Sequence, residues 1–87
     1  MPSVTNRRVR RLKWLCRRGM KELDLMLERF LASEQDSLEH GAWPELESLL
    51  QTEDDRLWDW LQNSQHPDAR PYRALLDRIR HDTEFRH

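Results

Sequence analysis

Trp14-Leu-Cys-Arg-Arg-Gly19-Met-Lys-Glu22-Leu-Asp-Leu-Met-Leu-Glu-Arg-Phe-Leu31 is the stretch that decides the fold. Before Gly19, the apolar residues Val9, Leu12, Leu15 and Cys16 recur at the 3–4 spacing of one buried helix face. After it, Leu23, Leu27, Phe30 and Leu31 do the same. The chain has two glycines, and this one separates two strong helical patterns. A glycine there allows the positive-φ conformation that ends a helix, and its missing side chain lets another surface come close to the backbone. Arg18 and Glu22 flank the gap with a planar cation and a carboxylate. Taken alone, the five residues Arg18 to Glu22 also fit a plain helix stop with a solvated ion pair, worth about 0–1 kcal/mol.

Working outward, the periodicity predicts helices throughout. The first runs from about Asn6 to Arg17, with Thr5 or Asn6 as N-cap. The second starts near Gly19 or Met20 and ends near Ala32. Ser33 to Gly41 is polar and reads as a loop. A third helix begins near Trp43, because Pro44 is tolerated in a first turn, and it carries Leu46, Leu49 and Leu50. Thr52 or Asp54 caps a fourth, which buries Leu57, Leu61 and one or both of Trp58 and Trp60. Asn63 to Arg70 is a turn-rich connection. A fifth helix begins at Asp68 or just after, with Tyr72, Leu75, Leu76 and Ile79 on its inner face. No segment alternates with period two for long enough to make a strand. The fold expected is an all-α bundle of five short helices.

The 87 residues make one domain, 1–87, with its core over about 6–81. A chain this small buries only about 60% of its unfolded surface, so its core must pack efficiently, and four Trp supply much of that packing. A single Cys excludes an internal disulfide and fits a reducing compartment. No apolar run approaches the ~20 residues of a membrane span, and no signal-peptide pattern opens the chain, so the cytoplasm is expected.

Net charge is −1, but it is unevenly spread. Arg7 to Lys21 holds eight cations and no acid, whereas Glu22 to Asp68 holds thirteen acids and two cations. The acidic middle reads as a solvated face. The basic first helix keeps a broad positive surface that suits an acidic protein partner, or attracts nucleic acid without sequence preference.

Self-sufficient catalysis has little support. His40, His66, His81 and His87 show no ligand spacing, so no metal site is indicated. Two glycines build neither a phosphate loop nor a dinucleotide fingerprint, so no tightly bound cofactor is expected. Cys16 sits on an apolar stripe with no local His to serve as its base, and reads as a structural thiol. Asp54 and Asp55 read as helix-start residues rather than a catalytic pair. No catalytic residue is assigned, and the chain is read as no enzyme.

The segment Trp14-x-Cys16-Arg17-Arg18-Gly19-Met20-x-Glu22-Leu23-Asp24 is followed by Phe30, by Leu49-Leu50, by the acidic turn Glu53-Asp54-Asp55, and by Leu57-x-x-Trp60-Leu61. In that order these closely resemble the small flavinylation assembly factors of succinate dehydrogenase, the SdhE family of bacteria. The resemblance covers about residues 6–81 and is most specific from Cys16 to Asp24. It implies a five-helix bundle that acts on the flavoprotein subunit of succinate dehydrogenase, and in some bacteria of fumarate reductase. There it promotes covalent attachment of FAD to a histidine. One departure is His40-Gly41-Ala42-Trp43-Pro44, where the family has an uninterrupted helix-favouring stretch; it bears on where the third helix starts.

The resemblance also implies a partner-binding surface. In it, Gly19 permits close approach, Arg18 offers its fork to the partner, and Glu22 offers a carboxylate. Met20 and Arg11 extend the same surface. Positioning is the simpler role for Glu22, with proton transfer as the alternative. A monomer that forms a transient heterodimer is the expected working state. Two other readings stay open: a nucleic-acid-binding module built on the basic helix, which the acidic remainder opposes, and an antitoxin-like regulatory partner, a label members of this family have carried.

Overall fold

The computed structural model describes residues 6–84, and these are all helix, turn and loop. Six α-helices follow one another: α1 Asn6–Leu15, α2 Lys21–Ser33, α3 Gln35–Glu39, α4 Leu46–Leu49, α5 Asp54–Gln62 and α6 Arg73–Glu84, with a 3-10 segment Pro67–Tyr72 leading into the last. The all-α class is as expected. A cap at Thr5 lies outside the described residues.

The most extensive packing is between α2 and α6, with α1 against α2 and α3, and α5 against α6. The apolar periodicity names most of the core, although Leu15 and Tyr72, expected on buried faces, are only half-buried. Leu12, Leu23, Leu27, Phe30, Leu46, Leu49, Leu57, Leu61, Leu75, Leu76 and Ile79 are fully buried. Trp60 is buried, and its ring stacks on Tyr72 with centroids 6.0 Å apart. Trp43 meets Phe30 edge-on at 6.3 Å. Trp14 departs from the expected packing role of the tryptophans, because it is 72% exposed.

Several boundaries differ from the sequence reading. The first helix stops at Leu15 instead of Arg17, and Cys16 and Arg17 form the descending turn. The expected loop at Ser33–Gly41 contains α3. Its backbone continues almost directly from α2: Glu34 N–H donates to Phe30 O, and Leu38 N–H to Glu34 O. A five-residue helix does not stand alone in water; fully burying Leu38 contributes about 2 kcal/mol and holds it down.

The third expected helix shrinks to α4 and starts at Leu46, not near Trp43. Trp43 has φ +53, which a helix cannot use, so Trp43-Pro44 belongs to the approach turn. Gly41 has φ +93. A left-handed residue with a side chain costs roughly 1–2 kcal/mol, and Arg8 fastens this loop in compensation. Its Nη1 donates to Leu38 O at 2.7 Å and Ala42 O at 2.8 Å, its Nη2 to Trp43 O at 2.8 Å, and its Nε to Glu47 Oε2 at 2.8 Å.

Neither Thr52 nor Asp54 caps α5. Glu53 is the N-cap, without a side-chain hydrogen bond, and Asp54 is the first helical residue. The final helix begins at Arg73 because Pro71 has no N–H to contribute, so the chain from Pro67 to Tyr72 takes the tighter 3-10 form.

Candidate functional site

The junction between α1 and α2 is a five-residue turn, Cys16 to Met20, centred on Gly19. Gly19 has φ +95, as its position between two helical patterns requires. It is exposed, and no heavy atom lies within 4 Å of where a Cβ would stand. The backbone there is bare and open to a close approach.

What holds the turn lies beneath it. Asp24, one turn into α2, reaches back: Arg18 N–H donates to its Oδ1 at 2.8 Å and Gly19 N–H to its Oδ2 at 3.1 Å. Two successive amides share one carboxylate, which fixes their orientation. Met20 is the N-cap of α2 in extended conformation, and its carbonyl accepts from Asp24 N–H at 2.8 Å. Its side chain is half-buried against the core.

Arg18 is placed differently from the role the resemblance implies. Its fork points into the molecule, and the side chain is 11% exposed. Nε donates to Asp54 Oδ1 at 2.6 Å, Nη1 to Leu50 O at 2.7 Å and Leu15 O at 3.1 Å, and Nη2 to Thr52 O. The carbonyls come from the end of α1 and from the α4–α5 connection. The guanidinium therefore clamps three parts of the chain together, and its charge-assisted hydrogen bonds are of the stronger kind. These contacts use four of the five guanidinium N–H donors within the chain.

Glu22 is exposed in the first turn of α2, where a carboxylate is favoured by the helix dipole. Leu25, three residues on, is 42% exposed. Gly19 and Met20 lie on the turn and Glu22 follows in the first turn of α2, with Arg18 beneath. Arg11 stands apart on α1. It is exposed, and it acts electrostatically on Glu47. The carboxyl of Glu47 is held below its ordinary range first by the hydrogen bond from Arg8, against the opposing effect of burial, with the charges of Arg8 and Arg11 adding to the lowering.

Cys16 is buried at the foot of the turn. Burial pushes its thiol up to about 12; Arg18 lowers it and Asp24 raises it, both by less. At neutral pH it is an uncharged thiol and a poor nucleophile. Among the described residues no three His, Cys, Asp or Glu are placed to hold a metal ion, and no helix is long and apolar enough to cross a membrane.

Sequence reasoning passed over three residues. Asp24 carried a signal, an acid one turn beyond a glycine stop. Trp14 carried another: on a helical wheel it stands opposite the stripe of Val9, Leu12 and Cys16. Arg8 carried none, since its partners are 30 to 39 positions away.

The comparisons with known proteins agree with one another. The family described as flavinator of succinate dehydrogenase matches residues 10–83. A protein of Legionella pneumophila (strain Lens) named FAD assembly factor SdhE is 43% identical over 65 residues, covering 75% of this chain and 82% of its own. A protein of the same name from Coxiella burnetii is 34% identical over 70 residues, covering 80% and 85% respectively. Another, from Yersinia pseudotuberculosis, is 40% identical over 57 residues, 66% of this chain and 65% of its own. No solved structure matches. With its Gly19 turn, its helical fold and a match spanning nearly all the described residues, this chain belongs to the flavinator family of succinate dehydrogenase.

Proposed function

We propose that this protein binds the flavoprotein subunit of succinate dehydrogenase through the Gly19 turn and promotes covalent attachment of FAD to a histidine of that subunit. The same surface would serve the flavoprotein of fumarate reductase. The observation that carries the reading is the turn itself: an exposed, left-handed glycine with open space over its Cα, anchored from below by Asp24 and Arg18. A rigid, bare turn is a docking element, because another backbone can reach it without displacing a side chain.

In this reading the protein contributes orientation. The flavin and the subunit's own groups carry the bond-forming chemistry. Aligning two reacting groups is worth several kcal/mol of barrier, which a small rigid body can supply by holding a mobile part of the subunit in place. Glu22 offers a carboxylate to donors on the subunit, Met20 an apolar edge, and Arg11 a cation farther along α1. Arg18 acts from within by holding the turn. The protein binds no FAD of its own, works in the cytoplasm, and functions as a monomer that forms a transient heterodimer.

The test is affinity capture with the flavoprotein subunit, coupled to in-gel fluorescence of histidyl-FAD. Wild type should co-purify with the subunit and raise the fluorescent band. Failure to capture it, or a band independent of the protein, overturns the reading. A stoichiometric flavin spectrum on the isolated protein after gel filtration would show that it carries cofactor.

A further inference from the structure

We infer that Trp14 is the apolar anchor of the docking surface, seated in a recess of the flavoprotein subunit that is lined by apolar groups and rimmed by acids. The inference rests on the proposed function and names a contact for it on α1.

Trp14 is the most exposed large apolar side chain among the described residues, at 72%. Elsewhere the described tryptophans are half-buried or buried. An indole left in water forgoes a large burial, on the order of 200 Å². It is also continuous with the Gly19 turn. An open recess of about 510 Å³ runs beside it, lined by Trp14, Leu15, Arg17, Arg18, Leu50 and Asp54. Leu15 and Leu50 give it an apolar part, beside the polar groups of Arg17, Arg18 and Asp54. The Asp54 carboxylate that lines it is already bonded to Arg18.

The surrounding charge decides the occupant. Arg10, Arg11, Lys13 and Arg17 are all exposed within one turn of Trp14. An aromatic centre with a charged rim is the usual anatomy of an interface hot spot, and its partner presents the opposite charge. Nucleic acid shares that charge and can stack on an indole. However, the thirteen acids from Glu22 to Asp68 oppose a long polyanion that runs on past α1, whereas an acidic protein rim need meet only the α1 face.

The experiment uses the full chain labelled with 5-fluorotryptophan, its Trp14 signal assigned by Trp14→Phe. Unlabelled flavoprotein subunit is titrated in and followed by fluorine NMR, and affinity is measured in parallel for wild type, Trp14→Ala and Trp14→Phe. The Trp14 signal should shift or broaden on binding. Trp14→Ala should weaken affinity by about thirtyfold or more with its thermal midpoint unchanged, and Trp14→Phe should recover most of the loss. Arg17→Glu should slow association, more so at low salt. If wild type binds and Trp14→Ala binds equally well, or the Trp14 signal stays still, the inference fails while the proposed function stands. If wild type does not bind the subunit, both fall. A Trp14 signal that moves with a single-stranded oligonucleotide at physiological salt and not with the subunit overturns the choice of partner.

Discussion

Arg18 and Asp54 are 36 positions apart in the chain and meet at 2.6 Å, Nε to Oδ1. The contact ties the start of α5 to the turn between α1 and α2. Because the same guanidinium also serves the carbonyls of Leu15, Leu50 and Thr52, removing it strands several acceptors at once.

Arg18→Ala should therefore act on stability first. Leaving partly buried acceptors without a donor costs about 3 kcal/mol in total, lowering the thermal midpoint of a domain this size by roughly 10–25 °C. Arg18→Lys keeps the charge but loses the fork, and should fall between the two. Unfolding followed by circular dichroism checks this. A midpoint within 2 °C or so of wild type would return Arg18 to the docking surface.

Gly19→Ala and Gly19→Arg separate backbone strain from obstruction. Both place a Cβ at φ +95, in space that is otherwise open, and both should lose about 1 kcal/mol or slightly more. Their thermal midpoints should match. Flavinylation should vanish in the arginine variant and persist in part with alanine, as close approach demands. Equal losses of activity in the two would mean that the conformation of the turn matters and the space above it does not.

Glu22→Gln distinguishes docking from proton transfer. The amide keeps the shape and one acceptor, so a docking role is recovered at high protein concentration. A proton-transfer role is not, and the saturating rate would then drop by about 10²–10⁴-fold. The first outcome is expected, since Glu22 is exposed at a helix start. The measurement is the rate of histidyl-FAD formation with each protein titrated to plateau.

The Arg8–Glu47 pair should show itself in acid. Glu47 has its carboxyl lowered from the ordinary 4.5, mainly by the hydrogen bond from Arg8. A carboxylate with a depressed folded-state value adds stability that is present above 4.5 and is lost as pH falls below it through the lowered value. Wild type should thus exceed Glu47→Gln in thermal midpoint at pH 7, by a modest margin because the pair is partly solvated, and the gap should close below pH 4.5. A gap that does not change with pH would assign the difference to packing.

The parts of this structure that follow local rules are the ones the sequence discloses. Period 3–4 picks out Leu12, Leu23, Leu27, Phe30, Leu75, Leu76 and Ile79 as core, and the isolated Gly19 between two periodic runs points to its left-handed backbone. Where the structure departs, the cause lies far off in sequence. One buried leucine, Leu38, holds α3, and one residue makes no periodicity. Trp43 takes φ +53 in a loop that Arg8 braces from 35 positions away. Arg18 turns inward because carbonyls 32 and 34 positions later converge on it. An arginine beside an exposed glycine looks the same in sequence whichever way its fork turns.

Asp24 gives the turn one more property. Consecutive backbone amides next to a left-handed residue form a small concavity that ordinarily receives an anion, phosphate included. Here the amides of Arg18 and Gly19 are already directed at the chain's own carboxylate, at 2.8 and 3.1 Å. The seat is filled from inside. With both amides engaged by Asp24, the turn offers them to no outside phosphate, so docking through it as proposed would leave a partner's dinucleotide uncontested.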